Sequence, residues 1–88
     1  MKIKTGFLLR EVAGSYIVVA TGALTKEFNG IIKLNETGSL LWKKLSEGSD
    51  VDGLVSALTE EYDVSMEDAK ADAEGFVSML AEAGILEN

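Results

Sequence analysis

Several polar side chains of this sequence could support catalysis, but the partners that catalysis requires are missing from the chain. Ser39 and Ser65 are candidate nucleophiles, yet the sequence contains no His that could activate them and no Cys. Neighbouring carboxylates occur at Glu60–Glu61 and Glu67–Asp68, where helical spacing places them on polar faces without apolar surroundings to raise a pKa. We therefore predict solvated helix faces at these positions and a protein that is not an enzyme.

Sites for metals, cofactors and nucleic acids are equally unsupported. Four glycines between residues 14 and 38 are spaced eight residues apart and belong to separate turns, so they form no phosphate-binding loop. The acidic residues lack the spacing of an EF-hand. A helix predicted over residues 65–83 carries five acidic residues and one basic residue, Lys70. Its net negative charge would repel phosphates. We expect no metal, no cofactor and no nucleic-acid partner.

Length and composition predict one folded domain over residues 1–88. The chain is 47% hydrophobic and 26% charged, as in globular proteins and unlike disordered ones. Near its start, Arg10 and Glu11 interrupt the only early apolar run, so no signal peptide is predicted. The longest uncharged stretch, residues 12–25, is too short to span a bilayer. These features predict a cytoplasmic, soluble protein without a membrane partner.

Charge is distributed unevenly along the chain. The net charge is −7, with +4 on residues 1–45 and −11 on residues 46–88. An acidic helical surface keeps a small protein in solution. The same field would also complement a partner that carries basic residues, and both interpretations can hold together.

The first half of the sequence predicts three short β-strands. Residues 7–13 and 16–21 flank Gly14-Ser15, a Gly-first two-residue turn compatible with a type II′ hairpin. An irregular connection follows up to the Asn29-Gly30 turn signal, and a third strand runs from there to Leu34. Val, Ile and Tyr dominate the second run, which favours strand over helix.

The second half predicts three helices. Their predicted N-caps are Asn35, Ser49 and Ser65, and Gly48 and Gly84 are predicted to follow helix ends. Apolar residues at helical spacing predict the buried faces: Leu34, Gly38, Leu41, Trp42 and Leu45 in the first helix; Val51, Leu54, Val55, Leu58 and Tyr62 in the second; Met66, Ala69, Ala73, Phe76, Val77 and Leu80 in the third. The order β-β-β-α-α-α predicts an α+β fold, with an N-terminal three-stranded antiparallel sheet followed by a three-helix cluster.

A sheet of three short strands leaves at least one edge exposed unless another part of the fold covers it. Residues 31–33 of the third strand could present unpaired backbone N–H and C=O groups, to which an extended peptide can add as a further strand. A narrow stripe of the third helix that includes Asp72, Gly75 and Met79 could form the other wall of such a groove. The alternative is that the two isoleucines of this strand are ordinary core residues.

The stretch from Ile32 to Trp42 resembles the LNxTGxxIW signature of the PqqD-like family, with Leu34-Asn35-Glu36-Thr37-Gly38 at its centre. The segment from Phe76 to Leu86 is similar to the family's FLxxLxxxGLL ending. With the second helix included, the resemblance extends over residues 7–87.

The resemblance implies a winged-helix-like domain that binds the leader of a ribosomally made precursor peptide as an added strand and delivers it to a modifying enzyme. That enzyme would be a radical S-adenosylmethionine (radical SAM) enzyme or a leader peptidase, and this chain, if full length, would be the standalone form of the domain. The alternative is a docking subunit of such an enzyme without leader affinity of its own. The peptide-binding residues expected on the strand edge and, from helix phase, on the facing helix are Gly30, Ile31, Ile32, Lys33, Asp72, Gly75, Phe76 and Met79.

Overall fold

The computed structural model describes residues 1–22 and 31–87. The elements in chain order are β1 (Lys2–Ile3), β2 (Phe7–Val12), β3 (Ser15–Ala20), β4 (Ile31–Leu34), α1 (Glu36–Glu47), α2 (Val51–Glu61), α3 (Met66–Glu82) and β5 (Leu86–Glu87). The predicted Asn29-Gly30 turn, and with it the predicted site residue Gly30, lies outside the described residues. The predicted α+β fold, a three-stranded antiparallel sheet followed by three helices, is confirmed.

Strands β2, β3 and β4 form one sheet in that order, so β4 is an edge strand. The register pairs Leu9 with Val18 and Val18 with Ile32, which places these side chains on one face. Val18 is fully buried there, and the other two pack against the core. The opposite face, which carries Ile31 and Lys33, is turned away from the core.

The β2–β3 hairpin turns one residue earlier than the sequence predicts. Val12 pairs with Ser15, so the turn residues are Ala13 and Gly14. Both have positive φ, 51° and 81°, which is the geometry of a type I′ turn and not of the predicted type II′ turn. Type I′ turns match the right-handed twist of the flanking strands.

Core packing accounts for this shift. In the observed register the fully buried Val18 lies opposite Leu9. The predicted turn would have placed Val18 opposite Glu11 instead, with a carboxylate beside a buried apolar side chain. The gain from pairing two apolar side chains therefore outweighs the cost of left-handed backbone at Ala13.

Side-chain caps fix where the helices begin. The N-caps predicted at Asn35 and Ser65 are confirmed, since each accepts a hydrogen bond from the backbone N–H three residues on, at 2.7 and 3.1 Å. The N-cap predicted at Ser49 is wrong. Asp50 caps α2 by accepting from the Gly53 N–H at 2.8 Å, and its carboxylate also suits the positive end of the helix dipole.

Within residues 1–22 and 31–87, no helix combines the length and hydropathy needed to cross a membrane.

The core lies between the helices and the buried face of the sheet. Its largest fully buried side chains are Val18, Leu41, Leu45, Leu54, Leu58, Leu80 and Ile85. Trp42 is buried as predicted and makes an edge-to-face contact with Phe7, with ring centroids 6.4 Å apart, which ties α1 to β2. The burial predicted for Met66 is wrong, because this side chain, on the first residue of α3, is 70% exposed.

A second, two-stranded sheet joins the two ends of the described chain, and the sequence did not predict it. Gly84 follows the C-cap of α3 with a φ of 75°, and the Ile85 N–H donates to the Leu80 carbonyl at 3.0 Å. This Schellman turn buries Ile85 completely and brings Leu86 of β5 opposite Ile3 of β1. The ribbon closes the core at the end of α3.

Candidate functional site

The hydrogen-bond phase of the sheet decides which backbone groups of β4 are directed outward. Hydrogen-bonded and non-hydrogen-bonded pairs alternate along an antiparallel ladder, so one bond fixes the phase. The Thr21 N–H donates to the Gly6 carbonyl at 2.7 Å, which makes these residues a hydrogen-bonded pair. Counting back along the register, the odd-numbered residues of β3 bond to β2, whereas Tyr16 and Val18 bond to β4.

Strand β4 therefore bonds to β3 through Ile32 and Leu34, which lie opposite Val18 and Tyr16. The N–H and C=O groups of residues 31 and 33 point away from β3, on the side where no described strand pairs with β4. These four backbone groups can receive an extended peptide as a further strand.

A cavity of about 340 Å³ opens beside the end of β4, between the start of α1 and the middle of α3. The α1 side is lined by Asn35, Thr37, Gly38 and Leu41, and the α3 side by Ala71, Asp72, Gly75, Phe76 and Met79. The α3 residues share a face because they recur at helical spacing. Pockets that hold small ligands start at roughly 300 Å³, so this cavity has room for a side chain of a bound peptide.

Gly38 and Asn35 hold the strand and the helix together at this corner. A Cβ on Gly38 would lie 3.1 Å from the Asn35 Oδ1 atom and 3.3 Å from the Leu34 Cβ atom, both closer than ordinary van der Waals contact. The same Asn35 oxygen accepts the capping hydrogen bond from the Gly38 N–H. Glycine at position 38 therefore lets α1 begin directly after β4, with the cavity at the junction.

Gly75 has no comparable structural need. It lies in the middle of α3, where glycine is about 1 kcal/mol less favourable than alanine. A Cβ at this position would meet no described atom within 4 Å, so close packing among the described residues does not require glycine. The residue lines the cavity, and its missing side chain leaves room there.

The side chain of Tyr62 contacts the α1 wall of the cavity through a hydrogen bond with Thr37. Burial raises the pKa of its phenol, and the nearby carboxylates of Glu36 and Glu61 raise that pKa further. A side-chain hydrogen bond with Thr37 acts in the opposite direction. The phenol thus connects the end of α2 to a residue that lines the cavity.

The part of the chain that the structure describes assembles no metal site. No group of three or more acidic residues is close enough there to share an ion. Buried side-chain nitrogen and oxygen atoms in this part also have hydrogen-bond partners, so none is left for a ligand to satisfy. The arrangement is suited to binding through backbone groups and through a cavity whose lining is partly polar and partly apolar.

The structure brings four of the predicted site residues onto one wall of the cavity: Asp72, Gly75, Phe76 and Met79. The predicted strand residues lie apart from that wall. Ile31 and Lys33 are exposed on the β4 edge, with Ile31 60% exposed, whereas Ile32 is half-buried and packs against the core. Ile31 is therefore not a core residue.

Sequence reasoning missed the α1 wall and Ala71. Asn35, Thr37 and Gly38 belong to the signature stretch, but the sequence assigns Asn35 to the helix cap and Gly38 and Leu41 to the buried face of the first helix. Extending the spacing of Gly75 and Met79 back by one turn would have found Ala71.

Comparisons with known proteins agree with the fold. The family model for coenzyme PQQ synthesis protein D (PqqD) matches residues 8–86. TbiB1 in complex with the TbiA(beta) leader peptide superposes with a TM-score of 0.79 at 24% identity, over 100% of this chain and 96% of that chain. Lasso peptide synthetase B1 complexed with the leader peptide gives 0.76 at 21% identity, over 99% and 96%. No curated protein matches the chain.

Proposed function

The chain belongs to the PqqD family, and on that premise we propose that it binds the leader segment of a ribosomally synthesised precursor peptide by strand addition at β4. The observation that carries this proposal is the outward direction of the backbone groups of Ile31 and Lys33, beside the cavity between α1 and α3. Two proteins of the same fold have been solved with leader peptides bound, which supports a peptide as the ligand.

An added strand would use both parts of the site. Its backbone would pair with residues 31 and 33, and every second side chain would point toward the face on which the helices pack. A side chain on that face, close to Asn35, could enter the cavity and contact Phe76 and Met79. Backbone pairing would give affinity for any extended segment, and the cavity would select the side chain.

The bound leader would be presented to a separate modifying enzyme, a radical SAM enzyme or a leader peptidase. The chain itself would act by binding, because it offers no His or Cys for nucleophilic or general-base chemistry. The binding residues we propose are Ile31, Ile32, Lys33, Asp72, Gly75, Phe76 and Met79, together with Gly30, which lies outside the described residues.

Proline at position 31 tests strand addition. Ile31→Pro removes an outward N–H without removing a hydrogen bond to β3, and edge strands tolerate proline in such positions. We expect the variant to fold. Its affinity for the labelled leader of a precursor peptide encoded by a neighbouring gene should be lower than that of the parent by a factor of about five or more. This loss corresponds to one backbone hydrogen bond of ~1 kcal/mol.

The matched control is Glu11→Pro, which removes an outward N–H on β2, the other edge of the same sheet. It should leave leader affinity unchanged. If Ile31→Pro folds and binds the leader as well as the parent, strand addition at β4 is excluded. Weaker binding by Glu11→Pro alone would indicate that the peptide adds to β2.

Amide shifts on leader titration should fall on residues 31–34 and 68–83. A parent chain that binds the enzyme but no leader would be a docking subunit instead.

A further inference from the structure

The face of the sheet that is turned away from the helices, here called the outer face, is unusually apolar. An antiparallel sheet with one solvated face ordinarily places polar residues there. The register assigns the outer face to Leu8, Arg10, Val12, Ser15, Ile17, Val19, Ile31 and Lys33. Five of these eight residues are apolar, and Leu8, Val12 and Ile31 are 41%, 52% and 60% exposed. Exposed apolar residues clustered in this way mark interaction surfaces.

The outer face has an ordered arrangement. Leu8, Val19 and Ile31 lie opposite one another across the three strands and form an apolar row. The neighbouring row, roughly 7 Å along the strands, places Arg10 and Lys33 on either side of Ile17. Every charged residue of the outer face is therefore basic, in a chain whose net charge is −7.

We propose that the outer face docks a folded protein whose contact surface is apolar at its centre and acidic at its rim. Resting on the proposed function, we assign this surface to the modifying enzyme. A second copy joined face to face by a twofold axis would present the same apolar and basic residues, so Arg10 and Lys33 would find no acidic partner there. Anionic lipid would repel the acidic body of the chain.

Ile31 connects this surface to the peptide site, since its side chain is on the outer face and its backbone is on the β4 edge. A leader strand added at that edge would widen the sheet, and every second leader side chain would join the outer face. The enzyme would then contact the chain and the leader on one continuous surface, and leader binding would strengthen docking.

The test measures binding of the purified modifying enzyme encoded beside this chain, with and without leader. Leu8→Gln and Val12→Gln remove exposed apolar side chains of β2, away from the β4 edge, and Arg10→Glu reverses a charge of the basic row. We expect each to weaken enzyme binding about tenfold, to leave leader affinity unchanged, and to reduce the stabilisation that leader gives the complex. Rising salt should weaken enzyme binding by the parent more than by Arg10→Glu.

Two controls separate this surface from general effects. Glu11→Gln changes a neighbouring residue on the opposite face of β2, and Lys70→Glu makes the same charge reversal on α3, so both should bind the enzyme normally. Unchanged enzyme binding by the three outer-face variants would overturn the proposal. So would self-association or binding to phosphatidylserine vesicles that only those variants abolish, or failure of the parent to bind the enzyme. Leader affinity, measured separately, reports on the proposed function alone.

Discussion

At the level of single residues, Gly75 distinguishes a binding role from a structural one. A glycine in the middle of a helix lowers stability, and this one faces open space where a Cβ meets no described atom. Gly38 also lines the cavity, but there a Cβ would press on Asn35 and Leu34. Of the two cavity glycines, Gly75 is thus the one that packing among the described residues does not require.

Gly75→Ala should therefore make the chain more stable and its binding weaker. We expect the free energy of unfolding to rise by about 0.5–1 kcal/mol, because alanine is the better helix former. Leader affinity should fall, and Gly75→Leu should reduce it further by filling the cavity. Urea unfolding and leader titration measure the two effects.

Ser78→Ala and Ser78→Leu provide the matched pair, at an exposed position of α3 that does not line the cavity. They should leave leader affinity unchanged. Equal affinity of Gly75→Leu and the parent would show that the peptide does not approach this part of α3.

The phenol of Tyr62 should make the free energy of unfolding depend on pH in the alkaline range. Because burial and the carboxylates of Glu36 and Glu61 raise the pKa of the phenol in the folded chain, the folded state holds this proton more tightly than the unfolded state. Stability from this difference is present below the ordinary tyrosine pKa near 10 and is lost as the pH rises through the folded pKa.

Tyr62→Phe should consequently flatten the fall in the free energy of unfolding at alkaline pH. Urea unfolding at a series of pH values from neutral to alkaline measures this slope. Tyr16→Phe is the control for loss of a tyrosine as such. A decline that is as steep in Tyr62→Phe as in the parent would mean that other groups cause the alkaline loss.

At the level of elements, the ribbon of β1 and β5 contributes more than its length suggests. Ile3 of β1 is 6% exposed and belongs to the core. The Lys4 N–H donates to the Ile85 carbonyl at 2.8 Å, and the Ser49 N–H donates to the Met1 carbonyl at 3.0 Å. The first four residues thus link the end of α3 to the connection between α1 and α2.

Ile3→Ala should destabilise the chain by roughly 2–5 kcal/mol, the range for truncating a buried isoleucine. Lys2→Ala, in the same strand but exposed, should change stability little. Chemical unfolding of both variants measures the difference. A loss below about 0.5 kcal/mol for Ile3→Ala would show that the ribbon frays in solution without cost to the core.

The elements with long periodic patterns were predictable from sequence, and the short ones were not. The α2 stripe and the Asn35 cap follow from local spacing and capping chemistry. The edge position of β4 was expected from the small number of strands and from the family resemblance. Strands β1 and β5 have two residues each and pair across nearly the whole chain, so neither has a pattern of its own. The hairpin turn depended on which side chain lies opposite Val18, which is a property of packing.

For the site, helix phase was enough to find the α3 wall, because residues 72, 75, 76 and 79 share a face whatever packs against it. The α1 wall could not be found in the same way. Asn35 and Gly38 have capping and packing roles that account for them completely at the sequence level, and only the placement of α1 against α3 shows that they also line a cavity.

At the level of the whole molecule, charge separates the two halves of the chain and bears on which leaders the proposed site would bind. Residues 46–88 carry a net charge of −11, and they include α3 with Asp72 on the cavity wall. A leader with Lys or Arg beside the residues that enter the cavity would meet a favourable field. Such attraction between exposed groups weakens as salt shortens the screening length from about 10 Å at 0.1 M to about 3 Å at 1 M.

Affinity for a basic leader should therefore fall as the salt concentration rises. One part of this salt dependence should come from Asp72 on the cavity wall, and the rest from the other acidic residues of this half. Asp72→Asn removes a carboxylate from the cavity wall, whereas Asp63→Asn makes the same charge change between α2 and α3, at a position that does not line the cavity. If a leader cation pairs with Asp72, titrations at several salt concentrations should give a shallower salt dependence for Asp72→Asn than for Asp63→Asn. A leader with its basic residues changed to Gln should reduce the dependence in all three proteins. Affinity that stays constant from low to high salt would instead assign binding to backbone pairing and the apolar residues of the cavity, and the acidic half would then serve solubility alone.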